Sequence, residues 1–98
     1  MGKVTLIKPT GEVEVTELAG ISLTYCQQQV GGWIEVVPRF SRYSGEPCIA
    51  LCDKEGKLKA YPLNENATQL WREQLPFYLP DVLVGNILII QGDLMEQF

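Results

Sequence analysis

The sequence predicts an α+β domain, a mostly antiparallel sheet with two short helices in the order β-β-α-β-β-β-α-β. Three observations carry that prediction. Apolar residues alternate with polar ones over strand-length runs, the period of a strand with one wet face. Two segments, 22–30 and 64–75, carry apolar residues at helical spacing instead. The strands come in runs joined by turns too short for parallel crossovers.

Val4-Thr5-Leu6-Ile7-Lys8 and Glu12-Val13-Glu14-Val15-Thr16 flank the turn Pro9-Thr10-Gly11, which reads as an antiparallel hairpin. Val13 and Val15 alternate with the two glutamates, so the valines are expected in the core and the acids in water. Glu12 and Glu14 point the same way, as an acid/base pair would. A solvated strand face is the simpler reading, because nothing near them would separate two pKa values.

Ser22 is the expected N-cap of the first helix, with Leu23, Cys26 and Val30 on its apolar stripe. Gly31-Gly32 ends it, at the place where a helix C-terminus calls for positive φ. The strand Trp33-Ile34-Glu35-Val36-Val37 follows, with Trp33 and Glu35 on one side of it. Glu35 is either ordinary alternation or a functional acid shielded by the indole of Trp33.

Pro38 to Pro47 breaks all periodicity and concentrates Arg39, Phe40, Arg42 and Tyr43 in one expected loop. Arginines beside aromatics suit recognition by planar hydrogen bonding and stacking. The alternative is a surface loop whose aromatics fold back on the sheet. A second hairpin is expected from Cys48–Cys52 and Leu58–Tyr61 around the turn Asp53–Lys57. Asn64 or Asn66 caps the second helix, whose stripe is Ala67, Leu70, Trp71 and Leu75, and Pro76 stops it. Phe77 and Tyr78 open an apolar linker that either covers the sheet or meets a partner. Ile87-Leu88-Ile89-Ile90 has no polar face, so it belongs at the sheet centre, or between a helix and a second subunit. Gly92 to Phe98 reads as a frayed tail beyond an ordered core of residues 3–91.

The 98 residues suit one small globular domain, and 46% apolar with 20% charged residues argues against disorder. The net charge of −4 lacks the electrostatic footprint of nucleic-acid binding. Three cysteines are odd in number and few for a disulfide framework, so a reduced, cytoplasmic setting is expected. No secretory pattern opens the chain, and the longest apolar run falls far short of a membrane span. Cys48 and Cys52, on one strand, would lie about 13 Å apart, too far to share a zinc ion. With no histidine present, neither a metal nor another cofactor is expected.

Four motifs in order, Val30-Gly31-Gly32-Trp33-Ile34-Glu35, Asp53-Lys54-Glu55-Gly56, Leu63-Asn64-Glu65-Asn66-Ala67-Thr68 and Val84-Gly85-Asn86, resemble one small family. It is an uncharacterised domain of unknown function found in bacteria, phages and plasmids. The resemblance spans about residues 3 to 91 and implies a mobile-element setting but no reaction. Pro38–Pro47 and Leu75–Leu79 lie outside its pattern.

The expectation is a non-catalytic module that binds an unidentified protein partner, with Trp33, Glu35, Arg39, Phe40, Arg42, Tyr43, Phe77 and Tyr78 as candidate contacts. The alternative is a protein that binds or sequesters a small molecule, such as a nucleotide stacked on Trp33 or Trp71. That reading requires an apolar pocket beside Trp33 and Glu35. An enzyme is not expected, since no spacing suggests a nucleophile and its base. Open sheet edges also point to self-association in a two-fold dimer.

Overall fold

In the computed structural model, which describes residues 1–98, the chain runs through seven strands and two α-helices. They are β1 (Gly2–Ile7), β2 (Val13–Leu18), α1 (Leu23–Val30), β3 (Ile34–Val36), β4 (Arg42–Tyr43), β5 (Glu46–Pro47), β6 (Ile49–Asp53), α2 (Glu65–Glu73) and β7 (Ile87–Gly92). A 3₁₀ turn, Asp93–Gln97, ends the chain. Five strands form one sheet in the order β2-β1-β7-β6-β3, every neighbouring pair antiparallel. The fold is α+β, as the sequence predicts.

β7 explains the sheet. Ile87, Leu88, Ile89 and Ile90 are fully buried because this strand is central and both its faces are covered by the chain itself. On one face Leu88 and Ile90 join Val4, Leu6, Leu51, and Cys26 and Val30 of α1. On the other, Ile87 and Ile89 join Ile7, Ala50, Phe40, and Ala67 and Trp71 of α2. Truncating any one of these isoleucines to Ala costs about 2–5 kcal/mol through lost burial and the cavity left behind.

Both helices start where a side chain satisfies an orphan amide. Ser22 Oγ accepts from Tyr25 N–H at 3.0 Å. Asn64, fully buried, accepts from Ala67 N–H at 3.0 Å, which settles the choice between the two asparagines. It does more than cap. Its Nδ2 donates to the carbonyls of Ile7 and Gly85, both at 2.9 Å, and its own N–H donates to Leu83 O. Thr68 exchanges two bonds with Leu83, donating to its carbonyl and accepting from its N–H. Asn64 and Thr68 therefore fasten α2 to β1 and to the 83–85 segment.

Gly31 closes α1 in the left-handed conformation, φ 95°. A Cβ there would sit 2.7 Å from the Tyr61 hydroxyl. Gly85, φ 72°, approaches the same side chain, since a Cβ there would lie 2.5 Å from the Tyr61 ring. Tyr61 is thus wedged between the double-glycine corner and the entry to β7.

Four sequence expectations give way. Val13 and Val15 are 43% and 60% exposed rather than in the core, because β2 is the sheet edge, pairs only with β1 and sends only Leu18 against the core. Alternation separates two faces of a strand but does not say that either is covered. Leu58–Tyr61 is not a strand. The amides of residues 55, 56 and 59–61 bond locally, Lys59 to Glu55 O and Tyr61 to Gly56 O among them, and Ala60 adopts φ 56°. β6 therefore pairs with β3 instead. The stretch 38–47 holds a small hairpin, β4–β5, with the turn residues Ser44 and Gly45 both at positive φ, 51° and 78°. That backbone matches the right-handed twist of a two-residue hairpin. Residues 93–97 are not frayed: Leu94 is fully buried under the sheet, and Gln97 Oε1 accepts from Ile21 N–H at 3.0 Å.

Candidate functional site

Where β3 and β6 meet the turn that follows, the sheet, α2 and the 81–84 segment leave a cleft of about 240 Å³. Its apolar floor comes from Val37, Trp71, Leu83 and Val84, with Leu58 on the rim. Trp71 is fixed by burial and by its Nε1 donating to the Pro38 carbonyl at 2.8 Å. Leu58 is 85% exposed, an apolar side chain presented by an otherwise charged turn.

That turn is held by Asp53. Its carboxylate, only 2% exposed, accepts from Lys59 Nζ at 2.8 Å, Tyr61 Oη at 3.0 Å and Glu55 N–H at 2.9 Å. Burial alone would push this acid up, but the Lys59 ammonium and the two other donors outweigh it, so its pKa falls below the ordinary value. Lys59 is raised in return, chiefly by that same hydrogen bond. Lys57 bridges to Asp81, tying the turn to the far wall of the cleft. Asp81 is lowered below its ordinary value, first by that Lys57 bond.

Cys52 opens onto the cleft opposite Glu35. Burial pushes its thiol up to about 11, with Glu35 and Asp53 adding to the shift. Cys48 is likewise pushed up to about 11 by burial. At neutral pH both remain thiols, so neither has the thiolate character of an activated nucleophile.

The expected contact residues divide. Glu35 lines the cleft. Arg39 stands over the Phe77 ring, its guanidinium carbon 5.4 Å from the centroid, and Phe77 and Tyr78 are 50% and 80% exposed. Arg39 holds φ 62° and directly follows Pro38, which lines the cleft. Phe40 is not available: it is buried in the core with Trp71 and Val37. Tyr43 is half-buried against the same cluster, and its carbonyl accepts from Gln91 Nε2 at 2.8 Å. Arg42 stays exposed but donates to Gly45 O at 3.2 Å within its own hairpin. Gln74 clamps that hairpin to the end of α2, accepting from Ser41 and Arg42 N–H and donating to Arg42 O. The aromatics of this loop thus largely fold back. Trp33 is exposed and lies outside the cleft, although its carbonyl accepts from Lys54 N–H at 2.7 Å.

Sequence reasoning missed Leu58, Lys54, Lys57 and the 81–84 wall. An apolar residue within the run Asp53–Lys59 was the available signal. A wider hollow of about 640 Å³ lies on the outer side of α2, but Glu65, Gln69, Arg72 and Glu73 make it an open polar surface. No helix is long and apolar enough to cross a membrane.

The four motifs that resemble a family are put to structural use. Gly31-Gly32 abuts Asp53 and Tyr61, Asp53 organises its own turn, and Asn64 and Thr68 anchor α2. Asn86 Nδ2 donates to Gln29 O at 3.1 Å and joins the last motif to α1. No curated protein and no solved structure matches the chain. A family model described as a domain of unknown function (DUF3846) matches residues 2–98, and the chain belongs to that family.

Proposed function

We propose that the domain is a non-catalytic protein-binding module that seats one apolar side chain of its partner in the cleft beneath Leu58. The observation that carries this reading is the Arg39–Phe77 stack, with Tyr78 exposed beside it, on the segments that border an apolar hollow. Exposed aromatics and arginine near a small, partly apolar pocket are the composition of an interface anchor site. The size of the cleft favours a side chain over a metabolite: about 240 Å³ lies below the roughly 300–1,000 Å³ usual for small-molecule sites. Its charges favour the same reading, because Lys57 and Asp53 are already paired, which leaves Lys54 as the one lining cation free to meet a phosphate.

Native mass spectrometry on protein purified gently from a lysate tests this, together with methyl NMR titration using N-acetyl-leucinamide as a side-chain probe. The expected result is a specific protein partner that is lost in the Phe77→Ala/Tyr78→Ala variant, and probe-induced shifts at Leu58, Val82 and Val84. A discrete small ligand retained by both proteins, with no response of those methyls, would overturn the proposal in favour of a ligand-binding role.

A further inference from the structure

β2 lies far from the cleft across the sheet, and nothing in the fold covers it. It is exposed from Val13 to Glu17 on both faces, and only β1 borders it. Lys8 N–H donates to the Glu12 carbonyl at 2.9 Å, which makes these two a hydrogen-bonded pair at the head of the β1–β2 ladder. Alternation along that ladder turns the amides and carbonyls of Glu14 and Thr16 toward β1. It leaves those of Val13, Val15 and Glu17 pointing outward. The same alternation holds across the sheet, where Val37 N–H meets Ala50 O on the β3 side of β6.

This open edge has a definite charge. Glu12, Glu14 and Glu17 stand along it; Glu14 is paired with Lys8 at 2.6 Å, and Glu12 and Glu17 hold no cation within 4.0 Å. The strand that already pairs with β2 shows what complements it. β1 sets Lys3 directly opposite Glu17 and hydrophobic or hydroxylated residues opposite Val13, Val15 and Thr16, with Lys8 reaching Glu14. A free strand edge offers main-chain bonds for affinity and alternate side chains for specificity.

We propose that β2 is the docking edge for an extended, basic segment of a partner protein, which adds to the sheet as a sixth strand. Its apolar side chains would lie beside Val13 and Val15, and its lysines or arginines beside Glu12, Glu14 and Glu17. The acids that attract such a segment oppose a second copy on this edge, since self-pairing would bring two sets of glutamates onto one seam of a chain already carrying −4. This surface is separate from the cleft, so each reading stands or falls alone.

The test uses the intact chain and two acetylated peptides, Lys-Thr-Val-Lys-Val-Lys and its counterpart with Glu at each Lys, followed by fluorescence anisotropy and amide hydrogen exchange. The lysine peptide should bind, more weakly as salt rises, and slow exchange at Val13, Val15 and Glu17. Reversing the cross-strand charges should weaken binding about tenfold or more. Val15→Pro removes an outward N–H and spares the ladder, so it should abolish binding with the fold retained. Glu12→Lys/Glu17→Lys, both on exposed side chains, gives a second variant that should lose the lysine peptide. Equal binding of the two peptides, insensitivity to both variants, or protection of β2 by self-association without peptide would each overturn the proposal.

Discussion

Replacing Asn64 separates its cap from its two fastenings. Its Oδ1 serves Ala67 N–H, while its Nδ2 serves the carbonyls of Ile7 and Gly85, and the residue is 0% exposed. Asn64→Ala removes the cap, worth about 1 kcal/mol, and strips a partner from two carbonyls at roughly 1 kcal/mol each. The sum is about 3 kcal/mol, which in a domain of this size lowers Tm by roughly 12–24 °C. Asn64→Ser keeps an acceptor for the cap, so it should lose only about 2 kcal/mol. Asn64→Asp is the sharper probe. Aspartate caps as well as asparagine, yet here its second oxygen would face two carbonyl oxygens in a buried site. At pH 7 it should be at least as damaging as Ala. Burial and those lone pairs would raise its folded pKa above the unfolded value of about 3.9, so the native state would hold the proton more tightly. The variant should therefore gain stability relative to wild type as pH falls through that window. Urea denaturation followed by tryptophan fluorescence at several pH values measures all three variants. An Asn64→Asp protein as stable as wild type at pH 7, or a serine variant no better than alanine, would refute the role given to the two carbonyl bonds.

Asp53, whose folded pKa is depressed, contributes stability that is present above its unfolded value, near 3.8, and lost as pH falls through the folded one. Asp53→Asn should reduce stability at neutral pH by about 1–3 kcal/mol and flatten the acid limb of the pH–stability curve, as measured by urea midpoints. Gly85→Ala should lower Tm clearly, because it adds a Cβ 2.5 Å from the Tyr61 ring at φ 72°, and Gly85→Ala with Tyr61→Ala should recover part of the loss by relieving the clash. Cys52, with its thiol near pKa 11, should react with a disulfide reagent at pH 8 far more slowly in the native protein than in urea, where the thiol returns to about 8.5.

Local chemistry was legible in the sequence, and long-range partnership was not. Ser22, the pair Asn64 and Asn66, and Gly31 announce helix ends through residue type, and the structure uses Ser22, Asn64 and Gly31. The wholly apolar Ile87–Ile90 implied burial on both faces but left open whether the chain itself or a second subunit covers them; the structure puts β7 at the sheet centre. Asn64's two carbonyl bonds could not be read, since their partners lie 57 and 21 residues away. Leu58–Tyr61 alternates like a strand, but Asp53 captures its turn first and gives the backbone local partners. The β4–β5 hairpin escaped notice because each strand is two residues long, although Ser44-Gly45 was a usable turn signal. At the site, arginine and aromatic content singled out Arg39, Phe77 and Tyr78 as contact candidates without deciding their exposure, and all three prove exposed. It also marked Phe40, which composition could not distinguish from them because burial depends on which way the chain passes the sheet.

The central strand is also nearly the last to appear along the chain. Before residue 87 is reached there are two separate half-sheets, β2 with β1 and β3 with β6, and β7 is the only strand that borders both. Gly2 pairs with Gly92 and Ile7 with Ile87, so the seam closes across almost the whole length of the polypeptide. Such long loop closures are slow to form and gain little until complete. A chain shortened before Ile87 should remain two unconnected hairpin-like pieces, and folding should be a single late event in which one strand zips both halves together.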